Sequence, residues 1–551
     1  MNEFAKTGAV LGVAAALTAL ALFTGPREAR LDLFDDQGEV FFAKLTDGDA
    51  VAELVVTAFR EEQSDVFPFA VKRDSKGVWT IPSHYNYPAD AKDQMGKAAA
   101  MLIGLTKQSV VGDERSRHAE FGVVDPLAEG VETKGRGKRV TMKDSGGNVL
   151  ADLIVGNEVK GKPSTYYVCV PGKDRVYTAK LDGKLSTKFA DWIETDLLKA
   201  QSWNIDSVIF DNYSIDEQAG QIVKGEKFVL KKDAASKWVL DGLDAATEET
   251  NEDKARDVTT TLGQIKIVGV LPKPEGLTAR LERANGIEAA MLSQSLQAKG
   301  FFLGRGGKLW SNEGDLLFET KSGVRYTLRF GELARDDGSE VSGIGSEPKE
   351  GEQPAEEAKN RYLMVSAEFA EELLQKPTGP RLEQAELDKR GEARKQVEAI
   401  QKAVEAFRAG HENQLPVNLL ALTEKPAEGE ALLAELLPDP WGGEYQLTAE
   451  GDGYVVSSFG ADKAAGGDGG NADVRSDRLP FEDELQKFAG EWTTFDAKVK
   501  TGQEEADKLT ARFGPWYYVI DKTLFDKLKP KRADLVKPKA ADDAANPGDG
   551  K

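Results

Sequence analysis

The chain has 551 residues, with 93 acidic against 72 basic side chains and a net charge of −21. That balance leaves no positive footprint for displacing counterions from a duplex, so it argues against nucleic acid as a main partner. It also disfavours broad contact with anionic lipid heads.

The first informative stretch is TGAVLGVAAALTALALFTG, residues 7–25, without a charge over 19 residues. As a helix it would span roughly 28 Å, close to the hydrocarbon thickness of a bilayer. Pro26 and Arg27 end it. A cleaved signal peptide is the competing reading, with Ala19-Leu20-Ala21 as its small-x-small site. The apolar run continues through Leu22 and Phe23, which favours an uncleaved anchor, and no cysteine follows to carry a lipid. Lys6 lies before the run and Arg27 and Arg30 after it. A short tail stays in the cytoplasm on this reading. The expectation is a single-pass protein of the inner (cytoplasmic) membrane with its bulk extracytoplasmic, that is periplasmic.

Two later segments look alike, one starting at Phe69 and one at Phe228. Each has a strand-like run, a turn, a tryptophan (Trp79 or Trp238) in a second strand, then a helix. Apolar side chains fall at Met95, Ala98, Leu102 and Leu105, and again at Ala255, Val258, Leu262 and Ile265. The common spacing predicts one apolar stripe per helix. Asp90 and Asn251 are the expected N-caps, and the tryptophans the expected core anchors. More strand patterns follow: LIVG and TYYVCV, then LRFG and RYLMVS. The only cysteine, Cys169, lies in the first set and reads as a small apolar core group. Residues 336–360, acidic and rich in Gly, Ser, Glu and Pro, read as a disordered insertion. Strand, W-x-[IL], Ala-Asp, helix and a Tyr-Tyr-Val strand behind one membrane helix resemble the domain-of-unknown-function 4340 family. The resemblance covers roughly residues 31–375, resuming at RFGPWYYVIDKTLFDKL from Arg512. It implies an anchored extracytoplasmic accessory of ABC-type transporters linked to gliding.

From Glu392 the pattern changes. EARKQVEAIQKAVEAFRAG reads as a helix with Val397, Ile400, Val404 and Phe407 on one face. Then come Leu415-Pro416, Asp439-Pro440-Trp441-Gly442, Tyr445, a strand ending Ser458-Phe459-Gly460-Ala461-Asp462, and GGDGGNAD at residues 466–473. This succession resembles the C-terminal domain of the major pseudopilin of type II secretion. The flanking helices predict that it is inserted into the other family's fold and closed by a helical stalk. In that family the Gly-Ala-Asp loop binds calcium, a cation that takes six to eight oxygens in flexible geometry. The resemblance implies Asp462 as first side-chain ligand, then Asp473, Asp468 and Asn471, with the Phe459 carbonyl as a backbone ligand. The family has Gly after the first Asp, where this chain has Lys463. The competing reading is a solvated glycine-rich hairpin tip. An EF-hand fails for want of a glutamate at its twelfth position, and the calcium β-helix repeat because the segment occurs once.

Enzyme signals do not hold together. GNEVKGKPS nearly fits a P-loop, but Pro163 replaces the hydroxyl that would hold magnesium, and two strands flank it. His84, His118 and His411 lack partners at zinc-site spacing. The expected protein is a non-enzymatic α+β scaffold or accessory of an envelope transport or motility complex. It has an N-terminal transmembrane helix (1–30), two β-hairpin/helix modules with mainly antiparallel sheets (31–195 and 196–377) and a pseudopilin-like insertion (378–480). A returning helix and Tyr-rich strand (481–531) and a disordered tail (532–551) complete it. Its partners are the membrane and proteins of that complex, or alternatively a type II secretion or pilus-like apparatus.

Overall fold

The computed structural model describes residues 36–60, 65–130, 133–183, 185–274, 287–304, 308–334 and 360–539, together with residues 8, 12–18 and 277. Among the described residues no helix is long and apolar enough to cross a membrane. The expected anchor at 7–25 lies outside them except for Gly8 and residues 12–18, which are helical. The acidic insertion at 336–360 also lies outside them, apart from Asn360.

The first repeat builds β1 (Glu53–Arg60), β2 (Asp65–Arg73), β3 (Trp79–Ile81), β4 (Tyr87–Pro88), helix α1 (Lys92–Leu102) and β5 (Val110–Gly112). It continues with β6 (Lys138–Lys143), β7 (Val149–Glu158), β8 (Thr165–Cys169) and β9 (Val176–Lys180). All join one nine-stranded sheet in the order β4-β3-β2-β1-β6-β7-β8-β9-β5.

The second repeat has β10 (Ile205–Asp216), β11 (Gln221–Lys232), β12 (Trp238–Leu240), β13 (Glu248–Thr250), helix α2 (Glu252–Leu262) and β14 (Ile267–Pro272). Helix α3 (Ile287–Gln297) and the hairpin β15 (Phe301–Leu303) with β16 (Leu309–Ser311) follow, then β17 (Asp315–Thr320), β18 (Val324–Leu333) and β19 (Arg361–Phe369). The inserted segment comes next: helix α4 (Gln384–Gly410), β20 (Gln446–Glu450), β21 (Gly453–Ser458), β22 (Val474–Arg475) and helix α5 (Pro480–Phe513). The chain re-enters the sheet as β23 (Trp516–Ile520) and ends with α6 (Lys522–Leu528) and β24 (Val536–Pro538).

The second sheet runs β12-β11-β10-β17-β18-β19-β23-β14, the order of the first sheet strand for strand from β3 to β5. The inserted domain therefore interrupts a single antiparallel hairpin, β19–β23, whose counterpart β8–β9 closes through a short turn.

Both predicted stripes are buried: Met95, Ala98, Leu102 and Leu105 on one side, and Ala255, Val258, Leu262 and Ile265 on the other. They face one continuous core shared by the two sheets, so neither repeat closes alone. Asn251 caps α2 through the Lys254 amide, as expected. Asp90 does not cap α1, whose N-cap is Ala91 without a side-chain bond; the Asp90 amide instead donates to the Trp192 carbonyl.

The tryptophans also depart from expectation. Trp79 and Trp238 are only half-buried, because β3 and β12 lie near the sheet edges. A cation from the neighbouring strand covers each ring: Arg73 at 5.3 Å from Trp79 and Lys232 at 4.8 Å from Trp238. Register pairs the same residues, Arg73 with Trp79 and Lys232 with Trp238. The pair replaces full burial with a contact worth ~0.5–1 kcal/mol at an exposed site.

Cys169 is buried, and burial pushes its thiol up to about 11. The tail is ordered further than expected. Residues 532–535 form a short helical turn, and β24 pairs antiparallel with β13. Only residues 540–551 of that tail lie outside the described region.

Candidate cation loop and its clasp

The inserted domain is a helix laid across a small sheet. Helix α4 begins at Gln384, earlier than the sequence pattern suggested, and buries Ala393, Val397, Ile400, Ala403 and Val404 against β21 and β22. Asp439-Pro440-Trp441-Gly442 is a turn with Gly442 at φ +78°. Asp439 Oδ1 accepts from the amides of Trp441 (3.1 Å) and Gly443 (2.6 Å), which holds the turn shut. The Ser458 hydroxyl donates to Asp439 Oδ2 at 2.5 Å and accepts from the Gly460 amide at 3.1 Å. The turn is thereby tied to the start of the glycine-rich loop.

Within that loop, Gly460–Asp462 and Gly469–Asn471 form two short helical turns packed on each other. Phe459 is half-buried and sits at the N-cap position of the first, and Asp468 holds the same position in the second. Asp462 is exposed and accepts from the Ala464 amide at 3.1 Å. Asn471 is exposed. Its carbonyl lies where a Cβ on Gly467 would come within 2.3 Å, so the turn admits only glycine there, at φ +81°. Asp473 clamps the loop: its Oδ2 accepts from the Gly466 amide at 3.0 Å, and its own amide donates back to the Gly466 carbonyl at 3.1 Å.

Among the described residues no three His, Cys, Asp or Glu side chains converge into a metal group. A cation here would depend on carbonyls and Asn471 as well as on carboxylates. One observation fits it: Asp473 Oδ1 is buried with no hydrogen-bond partner. A buried carboxylate oxygen without a donor is costly unless a positive charge meets it. Two carbonyls of the loop already have donors, since Arg390 Nη1 donates to Gly470 (3.0 Å) and Ala472 (2.8 Å).

Arg390 is the residue that motif reading passed over. Its Nε and Nη2 donate to Glu482 at 2.8 and 2.6 Å, and both side chains are almost fully buried. Arg394 pairs with Asp483 beside it. One guanidinium thus joins the incoming helix α4, the glycine loop and the first turn of the returning helix α5. Its position was legible: it lies seven residues before Val397, on the apolar stripe of α4 extended backwards.

Helix α5 has 34 residues, a rod of roughly 51 Å. Its far end buries Ala506, Leu509 and Phe513 in the shared core. Gly502 passes so close to the second sheet that a Cβ would fall 2.4 Å from the Ser322 carbonyl. Residues before α4 lie along the rod: the Trp492 indole donates to the Gly379 carbonyl at 3.0 Å, and Arg381 pairs with Asp496 at 2.7 Å.

These features define a two-repeat antiparallel α+β body carrying a helix-and-ribbon domain in one of its hairpins. Comparison with family models names both parts. Residues 79–280 match a domain of unknown function, DUF4340, and residues 381–477 match protein G of the type II secretion system (T2SS). The first match starts at β3 and runs past β14, across the junction of the repeats, and is shorter than the 31–375 expected. The second coincides with the inserted domain. No curated protein matches the chain.

Proposed function

We propose that the protein is a non-enzymatic, single-pass, membrane-anchored accessory or scaffold of an envelope transport or motility complex, of the ABC-transporter-associated kind. The two family matches point to the envelope, and the uncharged run at 7–25 supplies the anchor. The carrying observation is the continuous α5, clasped to the inserted domain at Glu482 and packed into the core at Phe513. A domain held out on a rod of that length presents a surface; it does not enclose a substrate.

Calcium in this reading is a structural clamp. Asp462, Asp468, Asn471, Asp473 and the Phe459 carbonyl would hold it, and it would neutralise the buried Asp473 oxygen.

A second reading is favoured by one feature of the insertion. Between α4 and the Asp439 turn, Val417 is 98% exposed and Leu420 61%, with Leu432 and Leu437 also exposed. Exposed apolar side chains of this kind could serve in docking onto pseudopilin-type subunits of a secretion or pilus-like apparatus.

Crosslinking in native membranes with identification of the partners separates the two readings. ABC-transporter subunits support the first, and secretion ATPase or pilin-like subunits the second. Protease accessibility of the C-terminus from the cytoplasm alone would end both.

A further inference from the structure

At one place the difference between the repeats is a cavity. In the first repeat Val140 pairs with Val56 and Leu153; in the second, Leu316 pairs with Phe210 and Leu328. Following the register two residues on, Val155 corresponds to Phe330. Across the next hairpin Val155 pairs with Val168 and Phe330 with Leu363, so Tyr166 corresponds to Arg361.

In the second repeat this place is filled. Helix α6, directly after β23, sets the Phe525 ring edge-on to Phe330 with centroids 5.1 Å apart. The Arg361 guanidinium covers the same ring at 4.3 Å, and Leu528 beside it is fully buried. Among the described residues of the first repeat no α-helix follows β9; the next element is the short helical turn Phe189–Trp192, and a cavity of about 850 Å³ remains. Val56, Met101, Val140, Val155, Tyr166 and Leu185 line it. The volume lies within the range of built binding sites. Its rim carries Arg136, Lys138 and Lys188 against Glu158 and Asp191. Asp191 is engaged by the Ser186 hydroxyl, and Glu158 by the Ser164 amide. Arg136 is already engaged by the Pro126 and Ala128 carbonyls, so the exposed Lys188 is the rim cation an acidic segment would meet.

We propose that this cavity is a socket for a short helical segment of a partner protein, which inserts a phenylalanine as Phe525 does in the second repeat and carries acidic flanks. The socket deepens the scaffold reading and rests on it only for the source of the segment. Aromatic anchors in preformed pockets carry most of the energy of such contacts, and here the apolar side chains are set in a lining that also includes Asn157, Ser186 and Thr187.

The test titrates a labelled peptide into the full-length protein. The probe copies residues 521–530 with Lys522, Lys527 and Lys529 replaced by glutamate. Saturable binding on the order of 10–100 μM is expected. Replacing the probe's phenylalanine by alanine should weaken it at least tenfold. In the protein, Val155→Phe installs the residue of the second repeat and should block binding. Lys188→Glu, at an exposed rim position, should weaken it several-fold with an unchanged melting temperature. Absence of saturable binding overturns the socket, as does binding indifferent to both protein variants while they remain folded. A small molecule retained in native mass spectra that competes with the probe reassigns the cavity to that ligand class and overturns it as well. Failure of the membrane topology experiment would sink the scaffold reading and leave this titration untouched.

Discussion

Arg390 and Glu482 lie 92 positions apart and face each other through hydrogen bonds of 2.6 and 2.8 Å, with 2% and 7% of their side chains exposed. The pair closes the inserted domain where its two helices meet. Breaking such a pair on one side leaves a buried charge unpaired, at a cost of about 3–5 kcal/mol. Arg390→Met is expected to destabilise the full chain by that amount in urea denaturation, and a second change, Glu482→Leu, to restore most of it. A single variant within about 1 kcal/mol of wild type would show that the clasp contributes little.

The unpartnered Asp473 oxygen leads to a metal-dependent prediction. Calcium should raise the thermal midpoint of the full-length protein and chelator lower it. Asp473→Asn retains an acceptor for the Gly466 amide but removes the charge, so it should abolish the difference; Asp462→Ala should reduce it. Coincident midpoints with calcium and chelator would reduce the loop to a hairpin tip.

Lys463 occupies a left-handed backbone position, φ +56°. Non-glycine residues meet a steric penalty there of roughly 1–2 kcal/mol, partly offset by the entropy that glycine loses on folding. The position explains physically why glycine suits it. Lys463→Gly should therefore stabilise the protein by about 0.5–1 kcal/mol. It also removes a positive charge beside the loop, so the calcium-dependent shift should grow. A lower midpoint in the variant would contradict the first expectation, and a calcium-dependent shift no larger than that of wild type the second.

Lys273 donates to the Phe513 carbonyl at 3.3 Å, and its ammonium lies 5.9 Å from the Tyr517 ring centroid. Burial, assisted by Arg329, lowers its pKa to about 8. Burial likewise brings Lys529 down to about 8, against the pull of Glu313, Asp315 and Asp211. Between pH 8 and the ordinary lysine value the unfolded chain binds these protons and the folded chain does not. Stability should therefore rise with pH across that window, from a minimum contribution below pH 8. Lys273→Met should be more stable than wild type at pH 7, with a shallower alkaline rise. Parallel pH profiles for the two proteins would remove Lys273 as a cause.

The local pattern fixed much of this architecture because the deciding interactions are short-range. The stripes of α1 and α2 follow from helical spacing up to Leu102 and Leu262, where the helices end; Leu105 and Ile265 lie beyond them and are buried as well. The Asp439 turn and the positive φ at Gly442 follow from proline and glycine chemistry. The duplicated order of hairpin and helix is likewise visible as repeated pattern, and so was the site of the insertion between two strand-like segments.

The tertiary structure alone decided three things. Trp79 and Trp238 became half-buried edge residues under Arg73 and Lys232, because a side chain's depth depends on where its strand lies in the sheet. Arg390, which periodicity sets on the buried stripe of α4, became the tie between loop and rod because Glu482 arrives from 92 residues away. The plug at Phe525 and the cavity beneath Tyr166 are decided in the same way. Each depends on which distant segment covers a given strand, and side-chain periodicity carries no information about that.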